Sequence, residues 1–117
     1  MKKLINHQWL DYVSCGVELP DDAGWYQAVN GFIKNVDCIM PEDSKRFFTI
    51  DQIKEKFGGL RIYWSLGEGM PDWMFRTIDA YTAVAELQVS NYELWKKYLH
   101  LEVLREAEAE RYGTESE

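Results

Sequence analysis

Apolar residues recur at helical spacing in the first third of the chain, where residues 3–13 predict a short helix that ends at a Cys-Gly pair. A proline and two aspartates at residues 20–22 then predict a stop followed by an N-cap. From Gly24 to about Cys38, apolar residues at i, i+4, i+7, i+8 and i+11 predict a second helix. These residues are Trp25, Val29, Phe32, Ile33 and Val36. Gly31 lies inside the second helix, where glycine lowers helix propensity, and predicts the close approach of another element.

In the middle of the chain, apolar residues recur at every second position instead of at helical spacing. Two runs with apolar residues at every second position flank Gly58-Gly59, a pair that supplies the positive φ angles of a tight two-residue turn. We therefore predict a β-hairpin over about residues 47–65, with strands from about 47 to 56 and from 60 to about 65, and with room for a third short strand. Its buried face is predicted to carry Ile53, Phe57, Leu60, Ile62 and Trp64.

The last part of the chain returns to helical spacing. A glycine-marked loop ends at Pro71, which suits the first turn of a helix, and the apolar stripe then runs to Leu104. Ser90 followed by Glu93 has the spacing of a capping box, so we predict a break or kink in a C-terminal helical arm over about residues 71–112. The chain is thus predicted to be one α+β domain, residues 1–112, built from two N-terminal helices, the hairpin and this arm. A frayed acidic tail, residues 113–117, follows.

Composition and net charge limit the classes of function and partner that the chain can have. The chain has 117 residues, 46% of them hydrophobic, and a net charge of −7, which fits one folded acidic domain. Phosphate backbones are bound through Lys and Arg, so the negative charge disfavours direct contact with DNA or RNA. It serves solubility or complements a basic partner surface. Two isolated cysteines and no apolar stretch of membrane length lead us to expect a cytoplasmic protein with free thiols, no membrane contact, no metal and no cofactor.

Charge is densest around the hairpin turn. Lys54, Glu55, Lys56, Arg61 and Tyr63 stand together in this short stretch. One interpretation is a solvent-facing strand edge that its charges keep from pairing with other chains, with Glu55 contacting Arg61 across the strands. The other interpretation is a recognition patch for an acidic partner or a phosphate group.

Apolar and aromatic residues in the C-terminal arm exceed the needs of one buried helix face. The arm is either sandwiched between the hairpin and the N-terminal helices, or it forms an interface to a second copy of the chain or to a target protein. Its carboxylates add a surface that suits a basic partner. The predicted partner-binding residues are Glu86, Glu93, Trp95, Tyr98, Glu102, Glu106, Glu108 and Glu110.

The segment 52–63, Gln-Ile-Lys-Glu-Lys-Phe-Gly-Gly-Leu-Arg-Ile-Tyr, resembles the core motif of a set of small, uncharacterised proteins from phages and bacteria. A Gly-Trp pair at residues 24–25 and an Ala-Glu pair at residues 85–86 match two further landmarks of those proteins. Many of them continue with a Cys-x-x-Cys pair that suggests a small zinc knuckle, whereas this chain reads Ser-Asn-Tyr-Glu at residues 90–93. The resemblance implies an origin in phages or mobile elements, and the departure from it implies that no metal is bound here.

The remaining polar residues carry no recognisable enzyme signature. The segments Pro20-Asp21 and Asp43-Ser44-Lys45 are similar in sequence to the motif of a metal-dependent nuclease. Such a site needs its carboxylates and lysine on adjacent strands, whereas both segments fall in predicted loops. We therefore expect a non-enzymatic protein-binding module, and specifically an acidic inhibitor of a host defence system, such as a CRISPR or restriction complex, that covers a basic surface. The alternative is a nucleic-acid-associated accessory protein that uses the hairpin charges.

Overall fold

The computed structural model describes Tyr12 and residues 17–112, with side chains described up to residue 107. Its elements, in chain order, are β1 (Val17–Glu18), α1 (Ala23–Ile39), a 3₁₀ helix (Glu42–Phe47), β2 (Phe48–Lys56), β3 (Gly59–Leu66) and α2 (Asp72–Tyr112). This mixture of helices and one sheet confirms the predicted α+β class. The helix predicted over residues 3–13 and the tail predicted over 113–117 lie outside the described residues.

Three strands form one sheet in the order β1-β2-β3. β1 runs parallel to β2 and is the third short strand for which the sequence left room. β2 and β3 are antiparallel and pair Lys56 with Gly59, so the predicted hairpin is confirmed. A register irregularity between Ile50 and Gln52 lets Ile50 and Ile53 both point into the core, although simple alternation would place them on opposite faces.

The hairpin turn is shifted by one residue from its predicted position. Phe57 and Gly58 are the two central residues, with φ angles of 54° and 80°, the positive pair that a type I′ turn requires. Gly59 belongs to β3 instead. Phe57, predicted on the buried face, therefore stands at the tip of the turn with 93% of its surface exposed. The other residues predicted for that face do contribute to the core: Ile53, Leu60, Ile62 and, partly buried, Trp64.

α1 forms where the apolar stripe predicted a helix, and Asp22 is its N-cap. The Asp22 carboxylate accepts a hydrogen bond from the Gly24 amide at 2.9 Å. Close approach of another element occurs at Gly24, where an added Cβ would meet the ring of Tyr92, and not at Gly31, where it would meet nothing within 4 Å. The prediction for Gly31 is wrong because that residue lies on the exposed side of the helix.

α2 is one continuous helix of 41 residues. The predicted break at Ser90 is therefore wrong. Ser90 is exposed, while Val89 and Tyr92 on either side of it pack against the core, so the stripe that holds the helix to the domain continues through this segment. A capping-box spacing does not end a helix whose buried face continues, because most helical stability in proteins comes from packing.

The core lies between the inner face of the sheet and the apolar faces of the two helices. Its fully buried side chains include Val29, Phe32, Ile33 and Val36 from α1, Ile50, Ile53 and Leu60 from the sheet, and Met74, Ile78 and Val89 from α2. Each such burial contributes about 1.5–3 kcal/mol to folding. Among the helices in the described part of the chain, none is both long and apolar enough to cross a lipid bilayer.

Candidate protein-binding surfaces

Asp22 forms the junction at which α2 leaves the domain. Its carboxylate accepts hydrogen bonds from the Tyr92 hydroxyl at 2.8 Å and from the Lys96 ammonium group at 2.6 Å. On the same side of α2, Glu93 accepts a hydrogen bond from Trp25 Nε1 at 2.7 Å and pairs with Lys96 at 3.0 Å. We call these five residues the junction cluster. They tie the first turn of α1 to the middle of α2. No sequence pattern indicated that these residues meet, because Asp22 and Lys96 are 74 positions apart.

Hydrogen bonding shifts the pKa of groups within the junction cluster. The hydrogen bond from Lys96 is the largest cause that holds the pKa of Asp22 below its usual value, against the opposing effect of burial. The hydrogen bond to Asp22, with a second one to Glu93, raises the pKa of Lys96. Both groups are therefore charged near neutral pH, and the cluster is an ion-paired anchor.

Beyond the junction cluster, the described side chains of α2 are exposed or half-buried. None of the described side chains from residue 97 to residue 107 is buried. We define the α2 arm as residues 94–112, and its large apolar side chains expose between 40% and 67% of their surface. They are Leu94, Trp95, Tyr98, Leu99, Leu101, Val103 and Leu104. The interpretation in which the arm is sandwiched inside the domain is wrong for these side chains, and the interface interpretation stays a prediction.

Two of the carboxylates predicted to bind a partner make contacts within the fold. Glu86 accepts a hydrogen bond from the backbone amide of Ile62 in β3 at 3.4 Å. Glu93 belongs to the junction cluster. Both side chains are half-buried, so they hold α2 against the rest of the domain in addition to any role at an interface.

The other predicted partner-binding residues lie on the α2 arm. Trp95 and Tyr98 are exposed, as is Glu106. Glu102 is half-buried and accepts a hydrogen bond from Arg105 at 2.9 Å within the helix. The backbone of Glu108 and Glu110 is helical, and their side chains lie outside the described residues. The arm thus brings aromatic and acidic groups to one solvent-exposed segment.

The basic residues of the hairpin share the outer face of the sheet. Lys54 lies opposite Arg61 in the antiparallel pair, and its ammonium group sits 5.6 Å from the centre of the Tyr63 ring. Lys56 lies two positions further along the same face of β2 and approaches the ring of Phe57. The structure therefore groups the residues of the predicted recognition patch on one side, and whether they bind a ligand stays a prediction.

Glu55 stands apart from that basic face. It lies opposite Leu60, and its carboxylate accepts a hydrogen bond from the Gly58 amide of the turn at 2.6 Å. Arg61 donates to the backbone oxygen of Leu60 at 2.8 Å. The predicted contact between Glu55 and Arg61 is therefore wrong, because the register pairs Arg61 with Lys54 and directs Glu55 to the opposite face.

A groove follows the outer edge of β3, where the sheet has no further strand among the described residues. Its volume is about 410 Å³, and α2 forms its other wall with Phe75, Asp79 and Glu86. Trp64 reaches across the floor and donates from Nε1 to the Thr82 hydroxyl at 2.8 Å. The groove is open and is acidic on the α2 side, and no pattern along the chain predicted it, because its two walls come from elements that meet only in the fold.

Side chains that could hold a metal ion are dispersed in the described part of the chain. No group of three or more His, Cys, Asp or Glu side chains there is placed to hold a metal ion. Cys38 is a free, exposed thiol, and His100 is exposed on the α2 arm. Comparison with protein-family models, with curated proteins and with solved structures returned no match to this chain. The resemblance to small phage proteins stays a prediction.

Proposed function

We propose that the protein is a non-enzymatic, protein-binding module and that the α2 arm is its binding surface. One observation carries this proposal: seven large apolar side chains of the arm are exposed on a helix that continues for sixteen residues past the Lys96 bond to Asp22. Soluble proteins rarely leave so many contiguous apolar groups in water unless they bind a partner. Aromatic side chains such as Trp95 and Tyr98 are the types that most often dominate binding energy at interfaces.

A narrower form of the proposal is an acidic inhibitor that acts in the cytoplasm of a bacterial host. Residues 67–117 contain eleven acidic but only five basic side chains, so this half of the protein repels nucleic acid and attracts a basic protein surface. The resemblance to phage proteins favours a host defence complex as the target, because such complexes expose basic surfaces that bind nucleic acid. The arm would then cover that basic surface.

Affinity capture from a bacterial lysate tests the proposal. We expect the full chain to retain a specific protein, and Trp95→Ala to weaken that binding at least tenfold, the size of effect typical of a central interface tryptophan. Trp73→Ala is the matched control, since Trp73 is similarly exposed at the other end of α2, and it should change the affinity less than twofold. Equal losses in the two variants would contradict a binding site on the arm.

Neutralising the arm tests the acidic part of the proposal. Replacement of Glu102, Glu106, Glu108 and Glu110 by Gln should weaken binding to the captured protein and flatten its dependence on salt concentration. Trp95→Ala should weaken binding at all salt concentrations. Binding that is unaffected by the four replacements would exclude recognition of a basic surface.

A second candidate function is an accessory role at nucleic acid through the hairpin. The observation in its favour is that Lys54, Lys56 and Arg61 share one solvent-exposed face with Tyr63. It predicts salt-sensitive binding of a labelled oligonucleotide that is lost when the three basic residues are replaced by Ala. Glu55→Gln is the control because Glu55 points to the other face and bonds to the turn.

A further inference from the structure

The exposed side of α2 repeats every seven residues. Val84, Asn91 and Tyr98 occupy one position of the repeat, and Leu87, Leu94 and Leu101 occupy another, so the spacing alternates between three and four residues. These are the a and d positions of a heptad, and we call the six residues the heptad seam. Thr77 and Ala80 extend the same spacing by one repeat toward the N-terminus of α2. The seam with this extension covers residues 77–101, about 37 Å of helix.

The heptad seam lies on the opposite side of α2 from the core. The buried stripe also alternates between spacings of three and four residues, at Ile78, Thr82, Ala85 and Val89, and the junction cluster continues it. At about 100° per residue, the centres of the two stripes are about 180° apart around the helix. The seam is correspondingly open: its five apolar members expose between 57% and 67% of their surface. An a/d stripe is not needed for folding on a side that faces water, since it contributes nothing to the core.

We propose that the heptad seam pairs with the same seam of a second copy of the chain in a parallel, two-stranded coiled coil. Leucine at every d position from Leu87 to Leu101 and β-branched Val84 at an a position are the choices that favour two strands. Asn91 at an a position is polar, and in a parallel dimer it meets Asn91 of the second copy, which fixes register and orientation. This inference rests in part on the proposed function, because the C-terminal half of the seam, Leu94, Tyr98 and Leu101, lies on the α2 arm, and it names what binds there.

Residues beside the heptad seam are compatible with the parallel arrangement. In a parallel pair, each g position faces the e position five residues further along the other helix. Lys97 at a g position faces Glu102 at an e position of the other helix, and these two side chains have opposite charges. The two preceding pairs are Ala83 with Gln88 and Ser90 with Trp95, neither of which places like charges together. The described core lies on the far side of α2, so two copies can approach without displacing it.

Sedimentation equilibrium of the full chain over a concentration series tests the proposal. We expect a dimer mass for the unchanged protein and at least a hundredfold weaker association for Leu94→Lys. Val103→Lys is the matched control: Val103 is as exposed as Leu94 but occupies an f position, away from the seam, and should leave the dimer intact. A monomer at all concentrations, a trimer or tetramer, or equal effects of the two variants would overturn the proposal. Neither residue is buried, so circular dichroism should show both variants folded.

Disulfide trapping tests the parallel orientation. In a chain with Cys15→Ser and Cys38→Ser, we expect Val84→Cys to form a covalent dimer rapidly in oxidised glutathione, because equivalent a positions are adjacent in a parallel pair and Asn91 is kept. The same background with Val103→Cys should not cross-link. A non-covalent dimer in which Val84→Cys fails to cross-link would overturn the parallel arrangement.

The dimer and the wider proposal fail in different ways. If the chain is monomeric but Trp95→Ala still abolishes capture of another protein, the coiled coil is wrong and the arm remains a binding surface for that protein. If the dimer forms and Leu94→Lys dissociates it, the coiled coil stands whether or not a further partner is captured. A monomer that captures nothing would contradict both.

Discussion

The two halves of α2 use similar residues for different purposes. In residues 72–96 the stripe that contains Ile78, Ala85 and Val89 is buried against α1 and β3. In residues 97–107 no described side chain is buried, although apolar residues are just as frequent. The spacing of apolar residues therefore establishes that a helix has a face to bury, but which molecule covers that face depends on where the domain ends. The junction cluster marks that point.

The largest expected effect comes from placing a charge on each half. Val89→Asp should reduce the free energy of unfolding by about 4 kcal/mol, because it buries an unpaired carboxylate in a fully buried position. The same change at Val103, which is 62% exposed, should stay within about 0.5 kcal/mol. Urea denaturation monitored by tryptophan fluorescence measures both. A large loss of stability at Val103 would mean that the second half of α2 folds against its own domain.

Two glycines of α1 allow the contact with α2 at the junction to be tested by the same substitution at a packed and at an open position. Gly24→Ala should lower stability by about 2 kcal/mol, because its Cβ would collide with the Tyr92 ring and push α2 away. Gly31→Ala should raise stability by about 1 kcal/mol, since it has open space and a better helix propensity. Thermal unfolding distinguishes the two by the sign of the change in Tm. Destabilisation by Gly31→Ala would place an unrecognised contact there.

Acid should loosen the junction through Asp22. Because the folded-state pKa of Asp22 is lowered, its contribution to stability is fully present above its unfolded value near 3.8 and is lost as the pH falls through the folded pKa. Asp22→Asn keeps an N-cap but loses charge-assisted bonds to Lys96, and should lower stability by about 1.5 kcal/mol at pH 7. Its unfolding free energy should then depend less on pH below 4.

Asp43→Asn is the control for the acid experiment, because Asp43 is exposed on the 3₁₀ helix and away from α2. It should leave the stability at pH 7 within about 0.5 kcal/mol of the unchanged protein. An acid dependence that is the same in the Asp22→Asn variant and in the unchanged protein would mean that other carboxylates govern the response.

The smallest effect is expected at Ser90, between the two halves. Ser90→Ala should raise stability by about 0.5 kcal/mol, because Ser90 is exposed inside a continuous helix where alanine is the better helix former. Were Ser90 an N-cap, the same change would lower stability by about 1 kcal/mol. Hydrogen exchange should show unbroken protection across residues 89–93. A local minimum there would restore the predicted break.

The sequence predicted the elements that depend on local periodicity. The stripe from Trp25 to Val36 placed α1, and alternation around Gly58 placed the hairpin, because burial of one face leaves a regular pattern. The turn was misplaced by one residue since Phe57-Gly58 and Gly58-Gly59 both contain the glycine that a positive φ favours. Alternation alone could not locate the additional residue near Asp51 that shifts the strand register.

Features that join distant parts of the chain were beyond sequence reasoning. Ser90 and Glu93 have a capping spacing, yet Glu93 bonds to Trp25, 68 positions away, and the helix continues. Gly24 and Gly31 look equivalent in a helix, and only the position of Tyr92 separates them. The exposed arm was one of the alternatives that the sequence left open, because an apolar stripe does not reveal its partner. The basic hairpin residues were identified as a group from the sequence. Which face of the sheet each one occupies became known only from the strand register.

The continuity of α2 has a consequence for changes in chain length. The buried stripe and the heptad seam lie on one continuous helix. The angle between them around the helix axis is therefore fixed by the number of residues that separate them. One residue inserted after Lys96 would turn everything beyond it by about 100° and misalign Tyr98 and Leu101 with Leu94. Seven inserted residues would turn it by only about 20° and extend the helix by about 10 Å. Insertions or deletions of whole heptads therefore keep the seam aligned. Each one changes the length of the helix by about 10 Å.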